Sequence, residues 1–154
     1  MKFKNLLLPA LLFYLISCGQ AGEQSSGTTS DATGLGNSEE IKFRQYMVEG
    51  KRLYVQYCSN CHQSDGSGLG KVYPPISKSD YIDNNFEESI CIIKNGREGE
   101  IVVNGITYNQ PMLPIPNITD LEIAEISTFI YNSWGRDKGL IPVQEVQKIL
   151  KNCP

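Results

Sequence analysis

Gly50-Lys51-Arg52-Leu53-Tyr54-Val55-Gln56-Tyr57-Cys58-Ser59-Asn60-Cys61-His62 is the stretch on which the reading of this chain turns. It closes an amphipathic run from Ile41 to Tyr57 with the apolar spacing of a helix, and its last five residues hold two thiols and an imidazole. Cys58 and Cys61 stand one helical turn apart. The arrangement C-x-x-C-H is the attachment signature of c-type haem, in which two thiols add to the two vinyl groups and the next residue offers imidazole to the iron. Two other uses of such a pair fit less well. A thioredoxin-like redox pair belongs beside a βαβ pattern, which is missing here, and a tetrahedral zinc site needs a further Cys or His ligand. His62 is the only histidine among 154 residues, so a haem held by two histidines of this one chain is excluded. The sixth iron position falls to Met, another donor or nothing.

Upstream of this stretch the composition changes twice. Lys2 and Lys4 precede an apolar run from Leu6 to Ile16, too short for a membrane span of about 20 residues and shaped like an export signal, so residues 1–17 read as a signal peptide. Leu15-Ile16-Ser17-Cys18 resembles a bacterial lipoprotein cleavage box, which implies that Cys18 becomes the lipidated first residue of the mature chain. Several acyl chains together anchor a protein stably. From Gly19 to about Asn37 small and polar residues dominate, with Leu35 the only large apolar side chain. Residues 18–39 are therefore expected to form a lipidated cysteine and a flexible linker, and residues 40–154 one globular domain. A chain with 40% hydrophobic and 20% charged residues suits a single core. The expected location is a membrane reached after export and held through lipid, with the domain on the periplasmic or outer side.

The formal charge of -3 becomes -5 once Lys2 and Lys4 leave with the signal. An acidic protein lacks the basic footprint that nucleic-acid phosphates demand. It suits a redox protein partner that carries a basic docking patch.

Five cysteines in an exported chain should each have a use. Lipidation accounts for Cys18 and haem for Cys58 and Cys61. Cys91 and Cys153 are left, and they are expected to pair as a disulfide that fastens the tail to the domain. Of the two methionines beyond the signal, Met47 lies on the helix leading into the haem motif and reads as a core filler. Met112 stands in Asn109-Gln110-Pro111-Met112-Leu113-Pro114-Ile115-Pro116, where three prolines exclude a helix or a central strand. A thioether on a stiffened loop is well suited to the distal face of the iron, where Met/His ligation raises the reduction potential. Met112 is the expected distal ligand.

With these residues in view the chain resembles a class I cytochrome c, over roughly Glu40 to Trp134. The resemblance rests on CSNCH, on the distal Met and on Gly50 with an aromatic one turn later, which in that family receive the C-terminal helix. It implies an all-α fold wrapped around a single covalently attached haem c. It also implies that a proline carbonyl after the motif accepts the second N–H of the proximal imidazole, and of Tyr73-Pro74-Pro75-Ile76 the better candidate is Pro74, with Pro75 close behind. By the same resemblance Ile126 and Phe129 pack on Gly50 and Tyr54.

Local signals supply the other elements. Thr119 with Glu122 three residues on makes a capping box, which predicts a helix from Asp120 to about Ser133 with Leu121, Ala124, Ile126, Phe129 and Ile130 on its buried side. Another helix is expected from Phe86 to Asn95, stopped by Gly96. Asn104-Gly105 between β-branched runs predicts a small β-hairpin over Ile101–Tyr108, inserted before the Met112 loop. After Trp134, Pro142 opens an extra C-terminal helix carrying Val143, Val146, Ile149 and Leu150. Tyr108 and Trp134 could each touch a haem but read as core aromatics, and Arg97, between Gly96 and Gly99, could pair with a haem propionate but reads as a solvated loop residue.

The expected function is one-electron transfer by a membrane-anchored monohaem carrier with His62 and Met112 as axial ligands, not an enzyme in its own right. Two alternatives stay open at the level of sequence. One is the electron-accepting subunit of a respiratory oxidoreductase in a membrane complex. The other is a haem enzyme or gas sensor in which Met112 is displaced.

Overall fold

The computed structural model describes residues 32–154, with side chains from residue 38 onward. The expected signal peptide, Cys18 and the first part of the linker lie outside the described residues. In chain order the described residues form α1 (Ala32–Tyr57), α2 (Ser59–His62), α3 (Asp80–Asn84), α4 (Phe86–Asn95), β1 (Ile101–Val103), β2 (Ile106–Tyr108), α5 (Asp120–Ile130) and α6 (Val143–Leu150). The architecture is the helical one expected, with both the hairpin insertion and the extra C-terminal helix present.

The two longest-range partners are α1 and α5. Leu53 and Tyr54 on α1 are fully buried against Ile123, Ala124 and Ile126 in one core. The helices meet at Gly50, where a Cβ would stand 2.0 Å from the carbonyl oxygen of Glu125 and 2.9 Å from Phe129 Cβ. Only a residue without a side chain lets the two backbones approach this closely. One turn on, Tyr54, Phe129 and Trp134 form an aromatic cluster with ring centroids 5.4 to 5.6 Å apart, in the tilted and edge-on geometries that aromatic quadrupoles favour.

Three local details depart from the sequence expectation. α1 reaches back to Ala32, into the stretch whose composition suggests a linker; no proline interrupts it, and adding residues to an existing helix is far easier than starting one. α5 stops at Ile130 and not near Ser133, because Asn132 takes over the work of the next turn: its amide donates to the carbonyls of Thr128 and Gly139 and accepts from the Gly139 N–H. On the same helix Leu121 is exposed and Ile123 is buried in its place. The buried stripe runs through Ile123, Ile126, Ser127 and Ile130, three or four residues apart, and Leu121 falls beside it on the first turn. The start of α5 is as expected, with Thr119 Oγ1 accepting from Glu122 N–H and the Glu122 carboxylate accepting from Thr119 N–H at 2.8 Å.

The hairpin pairs Ile101 with Tyr108, Val102 with Thr107 and Val103 with Ile106. Asn104 and Gly105 both take positive φ, as a two-residue turn of this hand requires. This turn is docked: Asn104 N–H donates to Asp80 Oδ1 at 2.7 Å, Asp80 N–H donates back to Asn104 Oδ1, and the Asn104 amide donates to the Lys78 carbonyl. The hairpin therefore leans on the start of α3 with Val103 and Tyr108 buried.

α6 packs Val146 and Ile149 into the core, and a disulfide joins Cys153, just past its end, to Cys91 on α4 across 62 residues. Replacing both cysteines by serine should cost the folded state up to about 4 kcal/mol by the chain-entropy account. Denaturant unfolding of the two proteins measures the difference, and equal midpoints would mean that Val146 and Ile149 alone hold the tail.

Candidate functional site

α1 delivers Cys58 at its C-terminal end, and the single turn of α2 carries Cys61 and His62. The junction keeps helical hydrogen bonding: Cys58 N–H donates to the Tyr54 carbonyl, and His62 N–H to the Cys58 carbonyl, each at 2.9 Å. Tyr54 also sends its hydroxyl to the carbonyl of Gln63 at 2.8 Å, so the side chain that anchors the α1–α5 core also fixes the residue just after His62.

Beyond α2 the chain folds back on itself. Gly68 N–H donates to the His62 carbonyl and Leu69 N–H to the Tyr73 carbonyl, which brings the two prolines beside the imidazole. His62 Nδ1 lies 2.9 Å from the Pro74 carbonyl oxygen. A carbonyl can only accept, so Nδ1 carries the proton and Nε2 keeps its lone pair for a metal. Burial lowers the His62 pKa while the Pro74 carbonyl opposes the shift, and the net result favours the neutral, ligating form. Pro74, not Pro75, is the acceptor. Cys58 is buried, and that burial, with a smaller contribution from Cys61, pushes its thiol up to about 12.

Met112 is held by its backbone. Arg97 N–H donates to the Met112 carbonyl at 2.8 Å, and Met112 N–H donates to the Arg97 carbonyl at 2.9 Å. The bridge forms because Gly96, at φ +73°, lies flat against the methionine loop, and a Cβ there would fall 2.3 Å from the Met112 oxygen. Sequence reasoning assigns Gly96 only to stopping α4 and leaves Arg97 in solvent, so it misses this seat. The available signal was the proline content of the loop: prolines remove donors, and the few backbone groups left must find partners.

Cys58, Cys61, His62 and Met112 all line one cavity of about 590 Å³, a size typical of cofactor sites. Its walls are mostly aliphatic and aromatic, including Ile82, Ile93, Val103 and Tyr108. Met47 is packed against the core and does not line the cavity, nor does Trp134, whose place is the aromatic cluster. Arg97 does line it. Two thiols one turn apart, an imidazole with a free Nε2, a thioether and an apolar slot form a donor set that fits an iron porphyrin fixed through both thiols.

The cytochrome c family model matches residues 47–134, the span from α1 to the aromatic cluster. Cytochrome c-552 of Thermus thermophilus is 31% identical over 111 residues, covering 66% of this chain and 84% of that protein. The cytochrome c subunit of the quinone alcohol dehydrogenase of Gluconacetobacter polyoxogenes is 26% identical over 106 residues, which cover 66% of this chain and 22% of that subunit. The corresponding subunit from Gluconobacter oxydans is 23% identical over 109 residues and is covered to 21%.

Proposed function

The chain belongs to the cytochrome c family, an electron carrier with covalently bound haem c, and from that premise we propose a monohaem, one-electron carrier with His62 and Met112 as axial ligands, tethered to a membrane through lipid on Cys18. The observation that carries the ligand assignment is the presence of His62 and Met112 on the wall of one cavity that also takes in both thiols of CSNCH. When bound, the haem supplies the redox change itself.

The chain's own residues have four tasks. Cys58 and Cys61 hold the porphyrin permanently. Pro74 orients His62 and raises its basicity as a ligand, while Arg97 and Gly96 hold the Met112 backbone in place. The apolar walls would keep water from a bound haem, whose redox chemistry a dry site with a thioether donor would tune toward the less charged reduced state. Were His62 and Met112 both to hold the iron, no position would be left for a substrate. The reduced protein is therefore expected to ignore carbon monoxide, and ready binding by the unaltered protein would point to the gas-sensor or haem-enzyme alternative.

The tether is argued from sequence: an export signal over residues 1–17, the Leu15–Cys18 box and a polar linker. Among the described residues no helix is long and apolar enough to cross a membrane. Cys18→Ser should leave haem attachment intact if export continues, and should move the protein from the membrane pellet to the soluble fraction. Recovery of the variant in the pellet to the same extent as the parent would reject lipid anchoring, and with it the proposed location on the periplasmic or outer side of a membrane.

A second reading has its own support. Two of the relatives described above are cytochrome subunits of a quinone alcohol dehydrogenase, so a place as the electron-accepting subunit of a membrane oxidoreductase is the alternative assembly. Co-purification of a dehydrogenase with the tagged, lipidated chain would favour it over a free shuttle.

A further inference from the structure

Ile41, Val48 and Val55 stand at seven-residue intervals on α1 and are 50%, 72% and 49% exposed. Seven residues make almost two full turns, so the three side chains fall on one line along the helix. The opposite side carries the core contacts, with Tyr46, Leu53 and Tyr54 buried and Gly50 pressed on Glu125 and Phe129. A helix that packs on a domain by one face ordinarily turns charged and polar residues outward. Here the outermost line is β-branched.

The charges beside this line are of one sign. At about 100° per residue, Arg44, Lys51 and Arg52 lie within about 60° of Val48, and no acidic residue of α1 does. The nearest carboxylates, Glu40 and Glu49, stand to the two sides and pair with Arg44 and Arg52. Such exposed pairs contribute little in water and are readily exchanged for another anion. An apolar line with a basic border suits a surface that is apolar inside and anionic on top, as a phospholipid layer with acidic headgroups is. A second copy fits worse. Crossing two α1 helices antiparallel at Val48 sets Arg44 against Arg52, and parallel pairing sets each base against itself. Three partly exposed side chains also fall well short of the roughly 800 Å² that each partner gives to a stable interface.

We propose that the outer face of α1 rests on anionic phospholipid and sets the orientation of the domain at the membrane. The inference rests on the proposed lipid tether at Cys18 and extends it. Residues 19–31 separate Cys18 from α1, and a segment of that length reaches at most about 45 Å, close to the roughly 39 Å length of α1 itself. The tether thus keeps this face within reach of the headgroups. So small a contact orients a domain that the tether holds, and does not hold an untethered one. None of the six residues lines the haem cavity, so the contact leaves the haem site to a redox partner.

The test reconstitutes the purified, haem-loaded, lipidated chain in vesicles of phosphatidylcholine and phosphatidylglycerol that contain a phospholipid with a photoreactive headgroup, and maps the adducts by peptide mass spectrometry. The expected result is adducts concentrated between Ile41 and Val55. They should be lost when phosphatidylglycerol is omitted and lost in the joint variant Arg44→Gln, Lys51→Gln, Arg52→Gln. Val48→Ser should reduce them. Co-sedimentation with the vesicles and haem absorbance should be unchanged in both variants, because the substituted side chains are exposed. Adducts spread evenly over the domain, or confined to another element, overturn the proposal. So does an amine cross-link between the Lys51 residues of two copies with no lipid adduct on α1, which would assign the face to self-association. A chain that fails to co-sediment overturns the tether and this proposal together, whereas one that co-sediments without α1 adducts overturns this proposal alone.

Discussion

Replacing Cys58 and Cys61 together by serine is expected to give a chain that carries no covalent haem. The two thiols line the same cavity as His62, and no other cysteine among the described residues is free, because Cys91 and Cys153 are bonded to each other. Haem staining of the denatured variant on a gel should fall from full intensity to background. The folded domain should also lose most of its resistance to heat, since an apolar cavity of about 590 Å³ would be left without the group that fills it, and empty core volume is costly at about 24 cal/mol per Å³ where it cannot collapse. Haem staining at the parental level would mean that the porphyrin is held elsewhere.

The second large effect is expected at Met112. Met112→Ala removes a thioether but leaves the backbone bridge to Arg97, so the loop should stay in place while the sixth position opens. The reduction potential should fall by a sizeable part of the roughly 0.8 V range that axial ligands command, and the reduced variant should bind carbon monoxide. Met47→Ala is the control. It is half-buried on α1 and packs on the core, so its loss should cost roughly 2 kcal/mol of stability and leave the potential unmoved. Retention in Met112→Ala of the oxidised protein's thioether-to-iron absorption, together with its loss in Met47→Ala, would transfer the ligand role to Met47.

The parts of this molecule that were legible in sequence are those governed by neighbours in the chain. The Thr119–Glu122 capping box, the Asn104-Gly105 turn, Pro142 ahead of α6 and the C-x-x-C-H spacing each act within a few residues, and each reads directly from residue order. Cofactor chemistry was legible for the same reason, because Cys58, Cys61 and His62 sit on a single turn. What escaped depends on contacts between distant segments. The Arg97–Met112 bridge and the docking of Asn104 on Asp80 join residues 15 and 24 positions apart, and no periodicity announces such partners. Arg97 shows the difference most clearly: between two glycines it reads as a solvated loop residue, yet its side chain is only 32% exposed and it lines the cavity. The position of Leu121 failed on a finer scale, since one residue of phase on a helix decides between core and solvent.

Spectroelectrochemical titration of the purified, unaltered protein tests the central claim most directly. A single covalently attached haem that shuttles electrons should give one reversible wave with the slope of a one-electron couple, and the chromophore should stay with the polypeptide when the same sample is extracted with acidified organic solvent. Absence of a wave, or a wave whose chromophore leaves with the solvent, would contradict the assignment of this chain as a c-type electron carrier.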